Sequence, residues 1–263
     1  MALERFKLDG QVAIITGAGR GIGLGLATVF AEAGATVVCA ARTKSEIDET
    51  VAKVKKAGGK AIAKTCDVLK KSDLVDLVKF TEEQFGRIDI VLNNAGAINY
   101  GPFLNITEED FRWHIDLNLT STFLLSQAAT PVMLKTGGGS IVNISSAIGR
   151  FGARGMMAYG AAKGGLENLT RGLAQELAPK IRVNAIALGA IMTPALQHTT
   201  YDTNPGYQEA LRALTPLARE GDAEDIGLCA LYLCSKGCYA TSAIFHVDGG
   251  LQTTNLPFKL PDL

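Results

Sequence analysis

Short runs of β-branched residues alternate with longer amphipathic, alanine-rich stretches along most of the chain. This alternation is typical of repeated βαβ units, in which helices connect parallel strands. The strands that the pattern predicts are Val12–Thr16, Thr36–Ala40, Lys60–Cys66, Ile88–Leu92, Ser140–Ser145, Arg182–Ile186 and Ala243–Val247. The predicted helices are Gly21–Ala33, Lys44–Ala57, Ser72–Phe85, Glu108–Leu134, Met156–Leu177 and Ala223–Ser235. We therefore predict an α/β fold built on one doubly wound, seven-stranded parallel sheet.

The chain of 263 residues shows no Pro/Gly/Ser-rich linker, composition break or internal repeat, so we predict a single domain. Its longest irregular stretch, Ala190–Gly221, contains several apolar side chains and is predicted to form a partly helical substrate flap. Packing of this stretch on a neighbouring subunit is the alternative. The apolar, proline-containing tail Leu251–Leu263 is predicted to dock on protein surface through Leu256, Phe258 and Leu260.

The charge balance narrows the kinds of partner. The chain has 26 basic and 26 acidic residues and no long block of like charges, so neither nucleic acid nor an anionic membrane is an expected partner. With 47% hydrophobic and 20% charged residues, its composition is that of an ordinary globular protein. The N-terminal segment lacks an apolar secretion core, and charged residues interrupt every hydrophobic stretch. We therefore expect a soluble, cytoplasmic protein that binds a small molecule.

The cysteines predict neither a disulfide framework nor a metal site. Their number is odd, and we expect reduced thiols in the core. They are Cys39, Cys66, Cys229, Cys234 and Cys238. The last two are one helical turn apart, but no histidine cluster accompanies them, so no metal ligand set is predicted.

A glycine-rich loop joins the first predicted strand to the first predicted helix. It reads Thr16-Gly-Ala-Gly-Arg-Gly-Ile-Gly23, in the spacing G-x-x-x-G-x-G. Glycines let the backbone approach a pyrophosphate closely, and the helix N-terminus presents N–H groups to the anion. A plain tight turn is the alternative. The candidate dinucleotide-binding residues in this loop are Gly17, Arg20, Gly21, Ile22 and Gly23.

The end of the second predicted strand indicates which dinucleotide binds. An acidic residue there would accept hydrogen bonds from the ribose 2′-hydroxyl of NAD, but the segment Val37–Arg42 contains no carboxylate. Arg42, together with Arg20 from the glycine loop, offers positive charge where a 2′-phosphate would lie. The sequence thus predicts NADP (NADPH) as the cofactor. The alternative is that either arginine is simply a solvated surface charge.

A tyrosine and a lysine lie four residues apart at the start of a predicted helix. At this spacing Tyr159 and Lys163 share one helix face. The nearby ammonium would favour the phenolate and so lower the tyrosine pKa toward neutral pH, where the hydroxyl could act as an acid or base. Thirteen residues upstream, Ser146 follows a strand whose carboxyl end lies at the sheet edge where α/β sites form. Ser146 is the candidate for binding a substrate oxygen, with Ser145 as a rival.

With these residues in view, the chain resembles the short-chain dehydrogenase/reductase family over nearly its whole length. The matching motifs, in the family's order, are Thr16–Gly23, Asp67-Val68, Asn93-Asn-Ala-Gly96, Asn118, Ser146, Tyr159-x-x-x-Lys163 and Asp248-Gly-Gly250. Leu188-Gly189 departs from the family's usual Pro-Gly, and Ala223 stands where a proline often begins the next helix. The resemblance implies a Rossmann-type fold and hydride transfer between a nicotinamide and a carbonyl or alcohol.

The resemblance also implies roles for individual residues. Ser146 would position the substrate oxygen, and Tyr159 would act as acid or base. Asn118 would hold a water that links Lys163 to solvent. Tyr159 and Lys163 would also contact the cofactor, Lys163 at the nicotinamide ribose. The remaining cofactor contacts would be Asp67 and Val68 beside the adenine, Asn94 along the cofactor path, and Ile191 and Thr193 at the carboxamide.

Three variable segments should surround the reacting carbon: Ala97–Phe103, Ala147–Ala158 and the flap. Their apolar side chains favour a bulky hydrophobic alcohol or ketone. These side chains are Ile98, Tyr100, Ile148, Phe151, Met156, Met157, Met192 and Leu196. They could equally pack on one another or on a sister subunit, while Arg150 and Arg154 could bind a distant carboxylate or be exposed loop residues.

Within the family, Leu188–Leu196 and Thr215–Asp225 resemble bacterial hydroxysteroid dehydrogenases, including those acting at a 7α-hydroxyl. The alternatives are 3-oxoacyl-thioester reduction and sugar or polyol oxidation. A catalytically silent, cofactor-sensing protein is disfavoured because Asn118, Ser146, Tyr159 and Lys163 are all present.

The resemblance further implies a homo-oligomer. The apolar predicted helices Glu108–Leu134 and Met156–Leu177 correspond to helices that pair with their copies across subunit interfaces in this family. We therefore expect a homotetramer.

Overall fold

The computed structural model describes residues 2–251, so the proposed contacts of Leu256, Phe258 and Leu260 lie outside the described residues. The strands are β1 (Val12–Thr16), β2 (Thr36–Ala41), β3 (Lys60–Thr65), β4 (Ile90–Asn93), β5 (Gly139–Ser146), β6 (Ile181–Leu188) and β7 (Ile244–Val247). The helices are α1 (Gly21–Glu32), α2 (Lys44–Lys56), α3 (Lys71–Phe85), α4 (Glu108–Ile115), α5 (Ser121–Lys135), α6 (Met157–Leu177), α7 (Pro194–Leu196), α8 (Tyr207–Leu214) and α9 (Ala223–Cys234).

The strands form one parallel sheet in the order β3-β2-β1-β4-β5-β6-β7. The predicted doubly wound, seven-stranded Rossmann-type fold is therefore confirmed. Strand order reverses between β1 and β4, and the carboxyl ends of both strands leave a crevice there. Ligands of open α/β sheets bind at such a switch point.

Helices cover both faces of the sheet, as a buried parallel sheet requires. Along β1, Ala13 and Ile15 face the layer of α1, α2 and α9, whereas Val12 and Ile14 face the layer of α3, α5 and α6. Phe30 on α1 is fully buried in the first layer. Burying a side chain of this size contributes about 1.5–3 kcal/mol, so the two layers hold the strand ends in fixed positions.

The single predicted helix Glu108–Leu134 is wrong. The structure divides it into α4 and α5, which are joined by a π-helical turn at Asp116–Thr120. Within that turn the Asn118 side chain donates hydrogen bonds to the carbonyl oxygens of Ala97 at 3.0 Å and His114 at 3.1 Å. Such π turns often occur at functional sites, and the local pattern does not encode this long-range contact.

The stretch Ala190–Gly221 holds the short helices α7 and α8, joined by a further π-helical turn. Its ends meet in a bridge between Ile191 and Gly221. The buried Glu220 carboxylate accepts hydrogen bonds from the Tyr201 hydroxyl at 3.1 Å and from Arg212 at 2.8 Å. The stretch is thus folded back and held in place on the sheet edge.

All five cysteines are unpaired, and Cys39, Cys66 and Cys234 are buried. Within residues 2–251, no three metal-ligating side chains lie close enough to bind an ion. No helix in the same range has the length and apolarity that crossing a membrane requires.

Candidate active site

The glycine-rich loop forms a narrow turn at the start of α1. Gly17 and Gly21 have φ angles of 64° and 52°, a region that side chains disfavour. A Cβ on Gly23 would lie 2.1 Å from the Gly17 carbonyl oxygen, so only glycine fits there. Arg20 precedes the helix without a side-chain cap, which leaves the first N–H groups of α1 available to an anion.

The loop is fastened to the end of β4 by a residue that sequence reasoning missed. The Thr16 hydroxyl accepts hydrogen bonds from the backbone N–H groups of Asn94 and Ala95, each at 3.0 Å. In return, the Asn94 side chain donates to the Thr16 carbonyl oxygen at 2.8 Å. Asn94 thus joins β1 to β4 at the switch point. A hydroxyl residue directly before the first glycine was the available signal.

The two arginines that the sequence predicts to bind a 2′-phosphate have different surroundings. The Arg20 guanidinium lies 3.3 Å from the Glu46 carboxylate, a partner on α2 that the sequence did not reveal. Arg42 is exposed and makes no hydrogen bond or ion pair with any residue between 2 and 251. Asp67 and Val68 lie just after β3, separated from it by Cys66, and the Asp67 carboxylate accepts from the Leu69 N–H at 3.2 Å.

Ser146, Tyr159 and Lys163 meet at the carboxyl edge of the sheet. Ser146 ends β5 and hydrogen-bonds the Tyr159 hydroxyl. The Lys163 ammonium nitrogen lies 5.5 Å from the centre of the Tyr159 ring and donates to the Ile144 carbonyl at 2.7 Å. Ser145 points away from this group, because its hydroxyl bonds the Glu167 carboxylate at 3.2 Å. The geometry therefore favours Ser146 over its rival.

Burial dominates the acid–base properties of this group. It raises the pKa of Tyr159 to about 12, while the hydrogen bond from Ser146 acts in the opposite direction. Burial also lowers the pKa of Lys163 to about 7. The pKa of Tyr159 is thus raised rather than lowered, because desolvation disfavours the charged forms of both Tyr159 and Lys163. The Tyr159 hydroxyl consequently keeps its proton and is ready to donate it.

Asn118 leaves one polar atom directed toward Lys163. Its amide nitrogen is bonded as described above, but its Oδ1 is buried and has no partner within residues 2–251. A Cβ on Gly96 would lie 2.7 Å from this Oδ1 and 3.4 Å from the Lys163 Nζ. The absence of a side chain at Gly96 therefore leaves room between the two polar groups. A buried polar atom beside such a space is suited to binding water.

A cavity of about 230 Å³ lies in front of Ser146 and Tyr159. The substrate-segment residues that line it as expected are Ile98, Tyr100, Ile148, Met156 and Leu196. Four further lining residues were not predicted to lie at the cavity: Thr200, Tyr207, Leu211 and Leu251. They reach the cavity only through the folding of the flap and of the segment that follows β7. No charged side chain among the described residues lines this cavity.

Three apolar side chains expected at the pocket are not part of its lining. Met157 and Met192 are 39% and 37% exposed. Phe151 instead packs beneath the Arg150 guanidinium, at 4.3 Å from the ring centre. Arg150 in turn pairs with Asp248 at 3.0 Å and donates to the Leu251 carbonyl, so its charge is already matched within the chain.

One side of the cavity is lined by two of the residues expected to contact the cofactor. Ile22 and Ile191 line it, and Ile191 is buried. Thr193 caps α7 by accepting from the Leu196 N–H at 3.1 Å. Its methyl group would lie 3.1 Å from a Cβ on Gly21, so Thr193 adjoins the glycine-rich loop. The glycine-rich turn therefore adjoins, through Ile22 and Thr193, the cavity that Ser146 and Tyr159 line.

A family model described as enoyl-(acyl carrier protein) reductase matches residues 17–252. The chain belongs to the short-chain dehydrogenase/reductase family. Members of this family are NAD(P)-dependent oxidoreductases that act on alcohol and ketone groups.

Relatives of known activity match almost the full chain. The 7α-hydroxysteroid dehydrogenase of Escherichia coli K12 is 38% identical over 249 residues, covering 94% of this chain and 96% of that protein. A 3-oxoacyl-[acyl-carrier-protein] reductase of Thermotoga maritima is 35% identical over 247 residues, covering 93% and 99%. A solved 7α-hydroxysteroid dehydrogenase, in complex with NADH and 7-oxo glycochenodeoxycholic acid, superposes with a TM-score of 0.91 at 38% identity, covering 96% and 99%.

Proposed function

We propose that this short-chain dehydrogenase/reductase interconverts a bulky apolar secondary alcohol and its ketone, with NADP as cofactor and a hydroxysteroid as the leading substrate. The observation that carries the proposal is the placement of Ser146 and Tyr159, with Lys163 close to the tyrosine ring, at a cavity that no charged side chain of residues 2–251 lines. These side chains can bind and protonate a ketone oxygen, and the cavity offers apolar surface to the rest of the substrate.

In this mechanism the chain's residues bind and move a proton. The N–H groups at the start of α1 bind the cofactor pyrophosphate, and Ser146 orients the substrate oxygen. In ketone reduction Tyr159 donates its hydroxyl proton to that oxygen, and in alcohol oxidation it accepts the proton. In reduction, Lys163 and a water on the Asn118 Oδ1 would then resupply Tyr159 with a proton from solvent, and in oxidation they would pass its proton to solvent. A nicotinamide dinucleotide held at this site would supply the hydride for reduction or accept it in oxidation.

The preference for NADP is supported by Arg42. Arg42 directly follows β2. Its side chain is exposed and has no hydrogen-bond or ion-pair partner in the described part of the chain. Glu46 opposes this preference, because it pairs with Arg20 and places negative charge beside the glycine-rich loop. The Arg20–Glu46 ion pair is largely solvent-exposed, so breaking it costs little free energy. Arg20 can then turn to the cofactor, and together with Arg42 it favours a 2′-phosphate.

Replacing Ala41 by aspartate should reverse the cofactor preference. Ala41 ends β2, where a carboxylate would repel the 2′-phosphate and accept hydrogen bonds from a free ribose hydroxyl. We expect kcat/KM to fall about tenfold or more with NADPH and to rise with NADH. Ala41→Asn is the matched control, since it adds similar bulk without charge. Equal or better efficiency of the unmodified protein with NAD would contradict the assignment.

The lining of the cavity supports the apolar substrate class over its two rivals within the family. A basic pocket mouth would favour 3-oxoacyl thioesters, but no basic side chain among residues 2–251 lines the cavity, and Arg150 is paired with Asp248. A polar pocket would favour polyols, whereas this one is lined mainly by Ile, Leu, Met and Tyr side chains. The likeness to 7α-hydroxysteroid dehydrogenases points to the same class.

A graded panel of ketones tests the substrate class, with NADPH consumption as the readout. Each additional buried CH₂ group contributes about 0.8 kcal/mol, so kcat/KM should rise about fourfold per group until the cavity is full. The cavity is smaller than the roughly 300–1,000 Å³ common for ligand pockets, so a steroid would extend beyond its mouth. Higher efficiency with a sugar acid or a 3-oxoacyl thioester than with any steroid or decalone would contradict the proposal. Absence of turnover with every compound would favour a cofactor-sensing protein.

We also propose a cytoplasmic homotetramer. Phe123 and Leu134 on α5 are 38% and 47% exposed, which leaves apolar surface for self-association on one of the helices expected to pair. Light scattering at micromolar concentration distinguishes a tetramer from a monomer.

A further inference from the structure

His114 is a buried histidine outside the group of residues assigned to the reaction. It lies on α4, is 2% exposed, and its ring packs edge-on against Trp113. Its Nδ1 lies 2.7 Å from the Asp110 carbonyl oxygen, one helical turn earlier. Its Nε2 lies 3.0 Å from the backbone nitrogen of Asn99, in a segment without regular structure. The ring therefore connects α4 to that segment.

The two contacts determine the protonation of the ring. A carbonyl oxygen can only accept, so the Nδ1 must carry a proton. The Asn99 N–H can only donate, so the Nε2 must be unprotonated. His114 is thus a neutral imidazole that both donates and accepts. An apolar residue of similar size could fill the space but could not accept from Asn99.

The segment that His114 holds forms one wall of the substrate cavity. Ile98 and Tyr100, on either side of Asn99, both line the cavity. The Tyr100 hydroxyl is 3.3 Å from that of Thr200 on the flap, so this wall also contacts the flap across the cavity. Asn118 bonds the same segment at the Ala97 carbonyl. His114 and Asn118 therefore fix the segment at two points, two residues apart.

We propose that His114 is a positioning residue that sets the substrate-binding wall formed by Ile98 and Tyr100. It touches neither substrate nor cofactor, and it acts through the Asn99 backbone. This role rests on the proposed function, since the wall matters for catalysis only if the cavity binds the substrate. Without the Nε2 acceptor, the Asn99 N–H loses its partner and the wall shifts. Substrate affinity then falls while the acid–base group stays in place.

The test compares two variants of the full-length protein, His114→Leu and His114→Gln. Leucine removes the acceptor, whereas the glutamine Oε1 can replace it. In His114→Leu the KM for an apolar ketone should rise about tenfold, while kcat and the KM for NADPH stay within about twofold of the wild type. In His114→Gln the KM for the ketone should return most of the way to the wild-type value. His246→Leu is the matched control, because this histidine is exposed on β7. An unchanged KM in His114→Leu, or a loss in both variants to the same extent, would overturn the proposal.

Amide hydrogen exchange keeps the proposal testable if His114→Leu fails to fold. In the wild-type protein the Asn99 amide should exchange at least about 100-fold more slowly than in an unstructured peptide. Exchange at the unstructured rate would overturn the role of His114, whether or not the protein turns over a ketone. Conversely, if the Asn99 amide is protected but the protein turns over no ketone, the contact with His114 is present and the proposed function is wrong.

Discussion

Replacing Tyr159 by phenylalanine should lower kcat for ketone reduction about 10²–10⁴-fold while leaving NADPH binding nearly unchanged. The substitution removes only the hydroxyl, which hydrogen-bonds Ser146 and faces the cavity. Burial raises the pKa of Tyr159 to about 12, so near neutral pH the wild-type hydroxyl carries the proton that the ketone oxygen needs. The phenyl ring keeps the packing on α6 but has no proton to donate.

Single-turnover kinetics and a fluorescence titration with NADPH separate the two parts of this expectation. Tyr239→Phe is the matched control, because Tyr239 is fully exposed and its hydroxyl is far from any assigned role. Its activity should equal that of the wild type. Full activity of Tyr159→Phe would mean that another group supplies the proton, and the assignment of the acid would then be wrong.

Replacing Gly23 by alanine should weaken NADPH binding about 100-fold or more, equivalent to roughly 2.7 kcal/mol. The new Cβ would lie 2.1 Å from the Gly17 carbonyl oxygen and 2.8 Å from the Ala18 Cα. Both are backbone atoms of the phosphate-binding turn, so no side-chain rotation can relieve the contact. The turn must open, and the N–H groups at the start of α1 then no longer converge on the pyrophosphate.

The matched control for this substitution is Gly172→Ala on α6. A Cβ on Gly172 meets no heavy atom within 4 Å. Alanine is favoured over glycine in a helix by about 1 kcal/mol, so this variant should bind NADPH normally and melt at a slightly higher temperature. Fluorescence titration and thermal denaturation of both variants provide the comparison. A wild-type Kd for Gly23→Ala would exclude the glycine-rich turn as the pyrophosphate site.

The alternating strands and helices could be predicted from the sequence, because hydrophobic periodicity and glycine positions are local properties of the chain. No strand end lies more than two residues from its predicted position. The spacing of Tyr159 and Lys163 on one helix face and the position of Ser146 at a strand end were equally local. The order of motifs along the chain then indicated the family, which the comparisons confirm.

Tertiary structure decided the features that depend on residues distant in sequence. The π turn at Asn118 depends on a hydrogen bond to Ala97, which is 21 residues earlier. The pairing of Arg20 with Glu46 depends on the approach of α2 to the glycine-rich loop. The pKa of Tyr159 depends on how much surrounding protein excludes water, and burial there outweighs the hydrogen bond from Ser146. Periodicity records which face of a helix is apolar, but contacts between elements decide whether Met157 faces a cavity or solvent.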